Sequence, residues 1–447
     1  MTRAASSPLP LLPGPAARLL AGTTLDALAA QLHAAGRALR VTIAGADHLV
    51  SADPDVARHV LVGNADNYVK DIRLMAPFLG LLGDGLLTSE GPLWRRQRAL
   101  LAQAFRADAL RVVASATRRA VDRAGERLDE HAQRGSIVDL GAEIRRLTLQ
   151  VIAGATLSLT ADESDELLLP LYEPIVAEAN RRVWLPLRGA LPIPGRARHD
   201  DALAALERLL HARIDARRRR GPADPVRSDD MLDLLLAGSG PWTAETAALV
   251  RDELKTMIFA GHETTSAALT WTLHALMRHP DCFARLRAAA ADAFADDASE
   301  FAALRRLDYA GACLKEALRL YNVVPIVVRR AVADDRLGDD LVPAGGLVLL
   351  HLQALHRDPR YWPEPDAFRP ERFHGSDGPP SPCLPFLVGP RSCLGQHFAL
   401  LEAKLVLALL ARRFEFTPDP GNRDDRHRFN IPVGPAGTIA ARVARRA

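Results

Sequence analysis

The run from Thr243 to Arg278 constrains this 447-residue chain more than any other stretch. It contains no proline, its apolar side chains recur at three- and four-residue spacing, and Pro280 closes it. As a helix those residues extend ~54 Å at ~1.5 Å per residue. A helix of that length must cross the whole molecule, so the fold has to be built around it.

The rest of the middle reads the same way. From about Trp94 to Leu320, Leu, Ala and Arg repeat at helical spacing with few β-branched clusters. Short β-favouring runs, Val41 to Ile43 and Leu49 to Ser51, flank a turn at Gly45, and Asp53-Pro54 supplies an N-cap followed by proline at the first helical position. Gly221 to Pro225 reads as a surface loop. After Tyr321 the composition turns to Val, Pro and Gly, with strand-like runs at Ile326–Val328 and Leu347–Leu350, Pro-rich coil through Pro385, and a last apolar helix over Leu394–Ala411. The fold class is mainly α with small β-sheets.

Composition removes several classes. With 48% apolar and 25% charged residues, disordered, collagenous and coiled-coil chains are excluded. The 57 basic and 54 acidic side chains leave a charge of +3, too small to imply nucleic acid, and Arg217 to Arg220 reads as a solvated helix end. Four cysteines, Cys282, Cys313, Cys383 and Cys393, are too few and too irregularly spaced for a disulfide framework or a paired-cysteine metal site, which fits a reducing cytoplasm. No run of about 18 apolar residues occurs, so neither a signal peptide nor a membrane span is expected.

One cysteine has a context of its own. Phe386-Leu387-Val388-Gly389-Pro390-Arg391-Ser392-Cys393-Leu394-Gly395 follows coil and precedes an apolar helix. A cysteine there sees the positive end of the helix dipole and free backbone N–H groups, which favour thiolate and make Cys393 a candidate metal ligand. Gly389 and Gly395 would let backbone and a flat macrocycle approach, and Arg391 can pair with an anionic group on the same ligand. Within the long helix, Ala260-Gly261-His262-Glu263-Thr264-Thr265 places a glycine where it costs about 1 kcal/mol relative to alanine, beside hydroxyls that compete for backbone carbonyls.

The pattern F-x-x-G-x-R-x-C-x-G resembles the haem-binding signature of the cytochrome P450 family, with Cys393 as the iron ligand and Phe386, Gly389, Arg391 and Gly395 around the cofactor. Leu387 departs from the small or polar residue usual there. Ala260 and Gly261 through Thr265 resemble the family's oxygen-binding groove, which implies Glu263 as acid and Thr264 as the hydroxyl of a catalytic proton relay. His262 is left to packing or a polar network. Glu316 and Arg319, with Arg372 in Pro370-Glu371-Arg372-Phe373, resemble the family's buried Glu–Arg–Arg network. Trp94 and Arg98, one helical turn apart, join Arg391 and Arg329 in an implied propionate clamp, with Arg330 adjacent to Arg329. Ala260, standing where some members have glutamate, argues against an ester-linked haem.

The resemblance spans nearly the whole chain. It implies one triangular, helical domain over 1–447, with β-richer parts at 30–65 and 321–447 packed on a helical body. The implied function is a haem-thiolate monooxygenase that holds haem b and uses O2 to oxidise an apolar small molecule, terpenoid, fatty acyl or polyketide-like. With no flavin or iron–sulfur segment before Ala447, electrons are expected from NAD(P)H through a separate ferredoxin and ferredoxin reductase. Arg95 and Arg96 are expected in solvent, facing an acidic redox partner. Ile72, Leu74, Met75, Phe78 and Leu79, then Val183, Trp184 and Leu185, then Phe259, Val323, Val324, Ile326 and Ile431 fall in segments that line the substrate pocket in the family. A peroxide-driven peroxygenase and a haem-binding sensor without turnover are the competing functions.

Overall fold

A computed structural model describes residues 23–36, 38–43, 46–71, 78–105, 109–184, 195–220, 230–295, 299–375, 382–421, 427–428 and 430–446. The turn at Gly45, the loop over Gly221 to Pro225 and the pocket candidates Ile72, Leu74, Met75 and Leu185 lie outside these residues.

The long run is one helix, Ala244–Arg278, of 35 residues, and Thr243 caps it by accepting from the Thr246 N–H at 3.3 Å. From Asp252 to Met277 it is buried except at four positions in the middle, Ala260, Gly261, Glu263 and Thr264. A helix buried on nearly every side belongs inside a large protein, and this one packs against the helices Leu140–Leu157, Asp308–Leu320 and Gln396–Arg413. Ala109–Arg134 packs in turn on Leu140–Leu157 and Gln396–Arg413, which closes the helical core.

The main sheet has five strands. Ala38–Ile43 pairs antiparallel with Ala46–Ser51, which runs parallel to Leu347–His351; Ile326–Ala331 and then Tyr68–Val69 complete it. This sheet brings the early β segment beside the region after Tyr321, across nearly 300 residues of intervening chain. The Asp53 cap expected from sequence is present: its Oδ1 accepts from the N–H groups of Asp55 and Val56 at 2.8 and 3.2 Å. A second sheet joins Ile137–Asp139, Ala440–Arg445 and Phe414–Pro418.

The helix after Cys393 starts two residues later than the apolar pattern suggests, at Gln396. The reason is local. The Cys393 N–H is committed to the Phe386 carbonyl at 2.8 Å and the Ser392 N–H to Gly389 at 3.0 Å, so the chain is held in turns until Gly395 caps the helix. Among the described residues, no helix is long and apolar enough to cross a membrane.

Candidate active site

The loop from Phe386 to Gly395 is fixed by close backbone contact. Gly389 has φ +79, and a Cβ there would lie 2.0 Å from the Leu61 carbonyl oxygen, so only glycine lets the loop sit on the turn at His59–Gly63. Leu387 also adopts a left-handed conformation, φ 57, which explains why small or polar residues suit this position; here its side chain packs with Leu384 and Val388 on the sheet-side core. Gly395 has no such constraint, since its Cβ would meet only Phe105 at 3.8 Å. Its reason for being small is not supplied by the protein around it.

This loop presents the Cys393 thiol to an accessible surface, whereas Cys313 is buried and Cys282 and Cys383 are half-buried. Burial of the surroundings raises the thiol pKa; the Gly395 N–H and the Arg98 guanidinium act in the opposite sense. The helix terminus favours the thiolate, as expected from sequence, and works against the desolvation of the sulfur. A cation bound at sulfur supplies the missing stabilisation.

Beside the thiol lies a cluster of cations. Arg98 donates to the Ser392 carbonyl at 2.9 Å and to its hydroxyl at 3.2 Å, which ties the helix Gly91–Ala104 to the residue preceding Cys393. Arg391 stacks 3.6 Å over the centre of the Trp94 ring, donates to the Ser89 carbonyl at 3.3 Å and pairs with Glu90. Arg329 and Arg330 fall on opposite faces of the strand Ile326–Ala331; Arg329 is the buried one and repels the same cluster, whereas Arg330 is half-buried. Arg329 donates to the Val328 carbonyl at 2.9 Å and has no ion pair among the described residues.

Lys70 is a member that sequence reasoning missed. Its ammonium donates to the carbonyls of Leu86, Leu87 and Ser89 at 3.1, 2.7 and 3.3 Å. Burial, then the neighbouring Arg391, push its pKa down to about 7. The available signal was rarity, because an arginine-rich chain uses lysine only four times. Against Arg98, Arg329, Arg391 and Lys70 stand two acidic side chains: Glu90, which pairs with Arg391, and Glu253, which burial holds towards its neutral form. Buried like charges are costly without counter-charge, so this constellation fits a ligand carrying more than one anionic group. An accessible thiol beside such a cluster is the donor set that haem requires: one sulfur for iron and cations for two propionates.

Four positions of the long helix, Ala260, Gly261, Glu263 and Thr264, are only half-buried. Gly261 is needed for packing: a Cβ there would come within 2.8 Å of the Ile152 side chain. The helix continues as α-helix through this segment, with the Thr264 hydroxyl donating to the Ala260 carbonyl at 2.6 Å. Thr264 thereby presents lone pairs, not its proton, to the accessible side. Burial raises the pKa of Glu263 to about 7, opposed by the charge of Arg145. His262 is driven down to about 3 by burial and hydrogen-bonds the Arg145 carbonyl through Nε2 at 2.9 Å.

The expected charge network is assembled. Arg319 donates through Nε and a terminal nitrogen to the two oxygens of Glu316, each at 2.8 Å, with both side chains fully buried. Arg372 reaches Glu316 at 3.3 Å, and the Arg369 N–H adds a bond at 2.8 Å. Arg319 also holds the carbonyls of His356, Pro365 and Ala367. Of the pocket candidates, Phe78 and Phe259 are buried against each other, ring centres 5.6 Å apart, and Val323 is buried too. These three belong to the core. Val324 and Ile431 are exposed, while Leu79 and Ile326 are half-buried. Val183 and Trp184 close the helix Leu169–Trp184.

The comparisons agree with this geometry. The family model described as Cytochrome P450 matches residues 23–435. LUTEIN DEFICIENT 5, a chloroplastic protein of Arabidopsis thaliana, is 30% identical over 411 residues, covering 86% of this chain and 68% of its own. Cyclooctatin synthase of Streptomyces melanosporofaciens is 31% identical over 395 residues, 86% of this chain and 84% of its own. The crystal structure of the cytochrome P450DA heme domain superposes with a TM-score of 0.84 at 25% identity, covering 100% of this chain and 99% of that one. A chain with an accessible cysteine beside a cluster of cations, and matched over this span, belongs to the cytochrome P450 family, whose members are haem-thiolate monooxygenases.

Proposed function

We propose that residues 1–447 make up one cytoplasmic P450 domain in which Cys393 ligates the iron of non-covalent haem b, and that the enzyme inserts oxygen from O2 into an apolar small molecule. The single observation that carries the reading is the accessible Cys393 thiol held beside Arg98, within a loop locked by Gly389 and the Phe386 carbonyl. The bound haem supplies oxygen activation, with the thiolate donating electron density to the iron.

The protein's own contribution is positional and protonic. Arg98, Arg329, Arg391 and Lys70 would neutralise the propionates, with Trp94 holding Arg391 in place. Ala260 and Gly261 would border the haem, with Gly261 also keeping the long helix packed on Ile152. Thr264, its proton committed to Ala260, accepts a hydrogen bond from water, and Glu263 stores a proton one residue away. Electrons would come from NAD(P)H through a ferredoxin and its reductase, a reading supported by the exposed Arg95 and Arg96 on the helix that touches Ser392.

The decisive experiment is the reduced, carbon monoxide-treated spectrum. Wild type should show the red-shifted Soret band of thiolate ligation, and Cys393→Ala should lose it; a band that survives the substitution removes Cys393 from the iron. With a surrogate ferredoxin system, Thr264→Ala should keep NADPH consumption but lose about 10-fold or more of product per NADPH, as removal of a proton-relay group does. Unchanged coupling in Thr264→Ala would favour the peroxygenase reading, and no oxygen consumption with any partner would favour the sensor.

A further inference from the structure

His262 is the one side chain of the accessible segment that is fully buried, and its two ring nitrogens have different surroundings. Nε2 sits 2.9 Å from the Arg145 carbonyl, an acceptor only, so Nε2 must carry a proton. In the neutral ring, Nδ1 is then a bare lone pair. It makes no hydrogen bond, and a Glu263 carboxyl oxygen lies 3.3 Å away. Two lone-pair-bearing atoms at that distance inside a protein repel, and a turn of the carboxyl group that brings one proton between them satisfies both.

The surroundings select where that proton comes from. Three elements face the pair. From the helix Leu140–Leu157 come the Arg145 carbonyl and its guanidinium, with the Thr148 hydroxyl on the His262 carbonyl at 3.4 Å. From Leu169–Trp184, the Tyr172 ring meets the imidazole edge-on at 5.1 Å and seals it from solvent. The long helix itself supplies the acid. An imidazolium would place a second positive charge beside Arg145 in a buried site, whereas a neutral carboxylic acid needs only an acceptor.

We propose that Glu263 is held as a neutral carboxylic acid donating its O–H to Nδ1 of His262, and that His262 is a positioning residue whose tautomer is fixed by the Arg145 carbonyl. The imidazole keeps the acid's proton turned away from the cavity, and rotation of the carboxyl group about its own bond brings that proton round towards Thr264. Pairing with an uncharged ring stores the proton; pairing with a cation would expel it. This rests on the proton-relay reading of Glu263 and assigns its partner.

Two measurements test it. On the haem-loaded, reduced, carbon monoxide-bound protein carrying 15N-histidine, His262, assigned by the resonance lost in His262→Gln, should show protonated Nε2 and bare Nδ1 throughout the neutral range. A protonated Nδ1, or an imidazolium, overturns the proposal. In infrared difference spectra, wild type should display a carboxylic-acid carbonyl band near neutral pH that Glu263→Gln removes. His262→Gln retains an N–H for Arg145 and replaces the Nδ1 lone pair with an amide oxygen, a weaker hydrogen-bond acceptor than imidazole, so it should shift that band to higher wavenumber; an unshifted band, or none in wild type, also overturns it. Should His262→Gln fail to fold, His262→Asn supplies the assignment, and the wild-type tautomer and the Glu263→Gln difference still decide. If Glu263→Gln uncouples turnover while His262→Gln leaves the band in place, the relay stands and the role of His262 falls. A missing red-shifted Soret band would instead strike the haem-thiolate reading.

Discussion

At the scale of single residues, Glu263 carries the most consequential environment. Its carboxyl titrates near 4.5 in the unfolded chain and about 7 in the folded one, because burial disfavours the charged form more than Arg145 favours it. The folded state therefore holds its proton where the unfolded state has already lost one. The associated stability is fully present below about 4.5, declines as pH rises between the two values, and is lost above about 7, amounting to on the order of 3 kcal/mol. Glu263→Gln abolishes this dependence: denaturant midpoints of wild type and variant should converge near pH 5, and the variant should be the more stable at pH 8. A constant offset across that range would show that Glu263 is not desolvated. Burial was the part the sequence could not reveal, since a glutamate followed by threonine is equally at home on a solvated helix face.

Among the elements, the loop from Phe386 to Gly395 contains two glycines with different jobs. Gly389→Ala meets the Leu61 carbonyl at 2.0 Å in a left-handed conformation and should lower stability by roughly 3 kcal/mol, with loss of the thiolate spectrum following from loss of the loop. Gly395→Ala has room on the protein side, with nothing nearer than Phe105 at 3.8 Å. It should leave the urea midpoint of the haem-free protein within about 1 kcal/mol of wild type and instead weaken haem retention, read by transfer of haem to excess apomyoglobin. Equal effects in the two assays would assign both glycines to the fold alone. Such loops are also where legibility differed most. The long helix, the strands at Ile326 and Leu347 and the Asp53 cap could be read from periodicity and caps, which are local signals. The start at Gln396 could not, because the hydrogen bonds that delay it run from Cys393 back to Phe386 through a loop with no period of its own. Lys70 was hidden for a related reason: it enters the cationic cluster through the loop at Leu86–Ser89, about 16 to 19 residues downstream, a contact that the residues around it do not announce.

On the scale of the whole molecule, charge is distributed so that the net value says little. A balance of +3 is too small to imply nucleic acid, yet cations gather where the helix Gly91–Ala104 meets the cysteine loop. Arg98 and Arg391 turn inward, whereas Arg95 and Arg96 on the helix of Arg98 stay in solvent; Arg95 lies 3.9 Å from a fully exposed Asp66, a pairing worth little in water. The inner arginines match a cofactor's carboxylates and the outer ones extend positive potential over the nearest surface. An electron carrier bearing acidic groups would be steered there, and steering is a rate effect that salt suppresses, because the screening length falls from about 30 Å at 0.01 M to about 8 Å at 0.15 M. Arg95→Glu combined with Arg96→Glu should accordingly slow first-electron transfer from an acidic ferredoxin about 10-fold at low ionic strength, with the gap closing as salt is added and the carbon monoxide spectrum unchanged. Stopped-flow reduction under carbon monoxide measures this directly. A salt-independent defect would mean that the substitutions had disturbed Arg98 and the cysteine loop, and no defect would place the electron entry on another face.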